Sequence, residues 1–131
     1  MVSKNRSHRA NHYGTLAERK AAERYRLTLE RCSWHDAKRE DGTPVEIKAA
    51  MYEHADGQPG NFKVYDKYHQ KLRRANGWYV FVPYRPRGRG IQVIAMKMRH
   101  SSRLPQLEWH GGGSHREAKQ AKIGIGEIFG N

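Results

Sequence analysis

Asp36, Glu46 and Lys48 are the residues of this chain whose types and spacing suit chemistry. Two carboxylates offer hard oxygen ligands to a divalent cation, and a lysine beside them offers a positive charge or a proton to a reacting water or phosphate. The run Val45-Glu46-Ile47-Lys48 alternates apolar and charged with the period of a strand, so Glu46 and Lys48 share one face and Val45 and Ile47 the other. Asp41-Gly42 just before it is a tight-turn signal, because glycine takes positive φ without a Cβ clash. The stretch from His35 to Lys48 therefore predicts a hairpin that carries a metal site. A two-residue turn at Asp41-Gly42 would put Asp36 on the apolar face, away from Glu46 and Lys48. A three-residue loop Asp41-Gly42-Thr43, with Gly42 left-handed, would set Lys38 opposite Glu46 and Asp36 opposite Lys48. The spacing thus predicts an odd-length loop or a bulge between Asp36 and Glu46.

Asp36 followed by Glu46-Ile47-Lys48 resembles the signature of the PD-(D/E)xK nucleases, with His35 in the place that a proline usually takes. That resemblance implies an α/β fold, a single domain with a central mixed β-sheet flanked by helices as in restriction endonucleases. It also implies a metal-dependent DNA endonuclease that hydrolyses phosphodiester bonds. Asp36, Glu46 and the Ile47 carbonyl would hold Mg²⁺, with Mn²⁺ able to substitute, and Lys48 would orient or help to deprotonate the attacking water. Within the superfamily the chain is most similar to the archaeal Holliday-junction resolvases, which carry a Glu-Arg pair on their first helix, matched here by Glu18-Arg19. By that resemblance Glu18 joins the catalytic set by holding a metal or its water, and Arg19 contacts a phosphate. The substrate would be branched DNA and the enzyme a homodimer, since a symmetric junction needs two matched cuts. Resolvases usually place an additional strand between the first helix and the catalytic Asp, and here only Leu27 to Trp34 is left for it.

Composition supports a polyanionic partner. In 131 residues, 25 Lys and Arg against 13 Asp and Glu give a net charge of +12, which a nucleic acid would relieve as self-repulsion. Such a length suits one domain. The single Cys32 excludes a disulfide framework and a cysteine-based zinc cluster, and with no apolar run of membrane-spanning length a cytoplasmic, reducing setting is expected. No Walker P-loop, Gly-x-Gly-x-x-Gly strand end or serine nucleophile elbow offers a rival enzyme class. Two alternatives stay open: restriction-type cutting of ordinary duplex, and a non-catalytic DNA-binding protein in which the carboxylates are structural.

The remaining elements must position the hairpin. Residues 1–13 hold Lys4, Arg6 and Arg9 with almost nothing to bury, and read as a flexible basic arm ahead of a domain over 14–131. Thr15 with Glu18 three residues on reads as a capping box, which predicts a helix from about Leu16 to about Leu27. The capping box is itself a structural reason for Glu18. Cys32 and Trp34 are expected in the core. Phe62, Tyr65, Tyr68 or His69, and Leu72 recur at helical spacing, predicting an amphipathic helix over 62–75 that Asn76-Gly77 stops. Trp78 to Tyr84 is a buried strand, and strand-helix-strand places it parallel beside the first. Arg85, Arg87 and Arg89, interleaved with Pro and Gly, form an exposed basic turn expected to track DNA phosphates. His110 and His115 flank three glycines that give no rigid zinc geometry, so a loop is expected there, with Ser114 capping a short helix near 116–122. Ile128 and Phe129 would tuck the tail onto the core or a second subunit.

Overall fold

The computed structural model describes residues 2–111 and 119–130, with side chains described from residue 12. Helix α1 (Val2–Tyr25) has its good helix formers in the run Leu16 to Arg24 and presents Ala17 and Ala21, both fully buried, one turn apart on its inner face. The expected start at Thr15 is corrected, because the backbone runs helically through Gly14, at a cost of about 1 kcal/mol relative to alanine. The composition boundary between arm and domain thus falls inside α1. Arg26 ends the helix in the left-handed region at φ 55°, with Leu27 N–H donating to the Ala22 carbonyl at 2.9 Å.

A six-stranded sheet follows: β1 (Thr28–Leu29), β2 (Ala37–Lys38), β3 (Pro44–Met51), β5 (Trp78–Arg87), β6 (Gly90–Val93) and β7 (Lys97–His100). β3 and β5 are parallel neighbours, with Val45 opposite Trp78 and Glu46 opposite Tyr79, whereas the other pairings are antiparallel. The long apolar β5 uses two partners on its outer edge: β7 along Trp78 to Phe81, then β6 along Tyr84 to Arg87. Pro83, which has no N–H to give, sits where the partner changes. The extra strand before Asp36 is rudimentary: β1 has two residues.

A second sheet, not expected from the sequence, is made of β4 (Asn61–Tyr65), β9 (Lys119–Gly124) and β8 (His110–Gly111). It corrects two expectations. The helix expected over 62–75 begins only at Asp66 (α2, Asp66–Arg74), because Phe62 and Val64 alternate with exposed Lys63 and pair with Ile123 and Ala121. The segment from Lys119 is likewise a strand, because Ala121 and Ile123 are buried and Lys122 is exposed between them; the cap at Ser114 lies outside the described residues. After β9 a short helix, α3 (Ile125–Phe129), buries Ile125 and Ile128 against the core. Asn76, at φ 56°, ends α2, and Gly77 lets Leu72 close beneath, since a Cβ there would stand 2.4 Å from its Cδ1.

The two faces of the main sheet bury different clusters. Ala17 and Ala21 of α1, with Leu27 just after it, pack on Val45, Ile47, Val80 and Val82. The opposite face carries Ala50, Tyr79 and Phe81 under Phe62, Val64, Leu72, Ile123 and Ile128. Alternation along β3 therefore places Glu46 and Lys48 on the second face. Among the described residues no helix is long and apolar enough to cross a membrane.

Candidate active site

The β2–β3 hairpin closes through a three-residue loop, Glu40-Asp41-Gly42: Arg39 N–H donates to the Thr43 carbonyl and Gly42 N–H to the Arg39 carbonyl, both at 2.9 Å. Gly42 takes φ 86°, as the turn requires. The loop has the expected odd length but lies one residue earlier than expected, so Lys38 faces Pro44, not Glu46. A bulge is present as well. Asp36 N–H donates to the Val45 carbonyl at 2.9 Å although Ala37 is the Cα partner of Val45, so two residues face one. Asp36 thereby turns its Oδ2 onto the N–H of Ile47, at 2.8 Å, where β2 has ended.

Asp36, Glu46 and Lys48 come together there. Lys48 Nζ lies 3.5 Å from Glu46 Oε2, and the two side chains are only 18% and 14% exposed, so Lys48 is not the exposed strand lysine that alternation suggests. Burial first, then a hydrogen bond shared with the Asp36 carboxyl, pushes Glu46 up to about 9, against the opposing pull of Lys48. The Lys48 ammonium also lies 5.7 Å from the centroid of the Tyr65 ring, within cation–π range.

Beneath Glu46, Tyr79 is buried and its pKa is raised by burial and by the charge of Glu46. Its hydroxyl shares a hydrogen bond of 2.7 Å with Nδ1 of His69, whose pKa burial lowers. Glu18 stands near Asp36: burial and that neighbouring charge raise its pKa, opposed by Arg31, whose Nε donates to Oε1 at 2.7 Å. Thr15 lies inside α1, so the capping box expected for Glu18 is not formed.

The arginines expected at phosphates lie apart from these groups. Arg19 is exposed on α1 next to Glu18. Arg85, Arg87 and Arg89 are exposed on the β5–β6 hairpin, whose two-residue turn has Gly88 at φ 61°. Arg85 stacks on Tyr52 with its guanidinium 5.0 Å from the ring centroid. It lies four residues along β5 from Phe81, the partner of Lys48, on the order of 13 Å along the sheet. Cys32 is exposed, correcting its expected burial, since β1 and β2 are too short to cover the segment between them; Trp34 does pack on the core. Sequence reasoning does not reach Arg31, Tyr65, Tyr79 or His69 around the site. The parallel register of β3 and β5 is the one signal that points to Tyr79.

The donor set suits a hard divalent cation: two carboxylates and the adjacent Ile47 carbonyl, all oxygen. Among the described residues no three His, Cys, Asp or Glu side chains converge on one point, so main-chain oxygen and water would complete the coordination. The model of the PD-(D/E)XK nuclease superfamily domain matches residues 4–130, and the chain belongs to that superfamily. Its mixed central sheet and flanking helices are the restriction-endonuclease-like fold of that family, whose members act as nucleases and generally use divalent metal ions. No curated protein and no solved structure matches the chain.

Proposed function

We propose that this protein is a Mg²⁺-dependent endodeoxyribonuclease that cuts branched DNA, acting as a homodimer in a cytoplasmic setting. The observation that carries the nuclease reading is the buried Asp36–Glu46 pair with Lys48 Nζ 3.5 Å from Glu46. Asp36 and Glu46 would hold the cation with the Ile47 carbonyl, and Glu18 would orient a water in its shell. When bound, the cation supplies charge stabilisation at the scissile phosphate and a more acidic water. Lys48, held by Glu46 and the Tyr65 ring, orients the attacking water and meets the negative charge that develops on the phosphate. Buried Tyr79 and His69 fix the floor under Glu46. Arg19 and the Arg85, Arg87 and Arg89 hairpin contact phosphates on either side. The preference for branched DNA rests on the Glu18-Arg19 pair and on Glu18 lying beside Asp36.

The test compares a four-way junction, a flap and a linear duplex of matched sequence, with and without Mg²⁺, using Lys48→Ala protein as control. Faster cutting of the junction supports the reading. Equal cutting of all three favours a restriction-type enzyme. Binding without cleavage of any would make the protein a non-catalytic DNA binder.

A further inference from the structure

At the far edge of the main sheet, β7 and the 3₁₀ turn that follows it (Ser101–Arg103) frame an open cleft of about 620 Å³. Trp78, Met98, Arg99, His100, Ser102 and Arg103 line it, with no carboxylate among them. Trp78 and Met98 are half-buried and packed on the core below, which makes the floor both apolar and rigid. His100 meets the indole edge-on at a centroid distance of 5.0 Å, and its Nδ1 accepts the Ser102 N–H at 3.1 Å, which fixes the ring. Arg99 is tethered to the carbonyls of Ile128 and Arg103, at 3.2 and 3.4 Å. Exposed Arg103 has no acid partner among the described residues, and Arg39 reaches the same indole at 4.8 Å with only a loose contact of 3.9 Å to Asp41.

An apolar aromatic floor under a cationic rim, in a volume suited to a small ligand, matches a flat ring that carries an anion. We propose that this cleft holds one unpaired nucleotide of the DNA strand, its base against Trp78 and Met98 and its phosphate on Arg103. Trp78 and Met98 lie on the face of the main sheet that α1 covers, opposite the face that carries Glu46 and Lys48, so the cleft is a site separate from the carboxylates. DNA with unpaired bases is what the cleft selects. This inference rests on DNA being the substrate, as proposed above.

The experiment uses full-length Lys48→Ala protein without metal, so that nothing is cut, carrying Trp34→Phe and Trp109→Phe so that Trp78 alone fluoresces. Where that background does not fold, anisotropy of a labelled oligonucleotide with Lys48→Ala protein replaces the quench. The probes are a short single-stranded oligothymidylate, a duplex of equal length and thymidine 5′-monophosphate. The expected result is quenching by the single strand, with Arg103→Ala raising its Kd about tenfold and leaving duplex affinity unchanged. No quench, an equal loss for single strand and duplex, or binding of the monophosphate alone would overturn the inference. Wild-type protein that fails to cut any DNA would overturn the nuclease reading while leaving this binding result legible.

Discussion

The Asp36 carboxylate accepts the main-chain N–H of Ile47 at 2.8 Å, so the side chain proposed to hold a cation also closes the end of the β2–β3 ladder. In an unbroken antiparallel ladder a carbonyl of β2 would take that N–H. Here the bulge at Asp36 and Ala37 withdraws the backbone and the side chain replaces it. Fold and site thus share one hydrogen bond.

Substitutions at Asp36 should separate the two roles. Asp36→Asn keeps an acceptor for the Ile47 N–H, whereas Asp36→Ala leaves a part-buried donor unsatisfied, at about 1–3 kcal/mol. Both variants should lose divalent-cation affinity, and only the alanine variant should lose stability. Urea unfolding read with Mg²⁺ calorimetry checks this, and equal stability of the two would show that the carboxylate does not hold the strand.

Lys48→Ala should reduce cleavage by about a hundredfold or more, the scale of losing a charge aimed at a developing anion. Because Lys48 is mostly buried against Glu46 and Tyr65, the substitution should also cost on the order of 1 kcal/mol of stability. Single-turnover cleavage with a parallel thermal melt measures both. Undiminished turnover would remove Lys48 from the site.

Glu46 makes a prediction about pH. Its carboxyl, raised from the ordinary 4.5 to about 9, binds a proton more tightly in the folded chain than in the unfolded one. The stabilising effect of that proton is complete below the ordinary value and is lost as pH climbs toward 9, so metal-free protein should weaken across that window. Glu46→Gln cannot ionise and should flatten the profile, gaining on the order of 2 kcal/mol over wild type near the alkaline end. Mg²⁺ should restore wild type there and leave the variant unmoved. Melts in chelator at acid and alkaline pH decide it, and parallel profiles would show that Glu46 does not carry the shift.

The part of this site readable from sequence is the part encoded by local periods. Val45-Glu46-Ile47-Lys48 alternates cleanly, and the need for Asp36 to share a face with Glu46 forces an odd loop or a bulge, both of which are present. The loop sits one residue earlier than expected because Asp41-Gly42 fits either placement. Two coincidences hide the second sheet: Phe62 falls in helical spacing with His69 and Leu72 of α2, while β9 pairs with β4 from far along the chain, a pairing no local pattern announces. Arg31 is illegible for the same reason, since it reaches Glu18 across the turn after α1.

The β5–β6 hairpin supplies the last prediction. Arg85, Arg87 and Arg89 are exposed, and Arg85 is braced on Tyr52 at 5.0 Å, so the hairpin can present guanidinium groups without refolding. Each phosphate neutralised there releases condensed counterions, which sets the salt dependence of binding. Replacing all three by glutamine should lower the slope of log affinity against log salt by roughly one for each phosphate no longer neutralised, and should weaken binding to all DNA sequences alike. The stability of the protein should hold, since none of the three forms an ion pair among the described residues. Fluorescence anisotropy with Lys48→Ala protein across a salt series measures the slope without cleavage. An unchanged slope would mean that DNA lies elsewhere and that the hairpin is solvated in the complex.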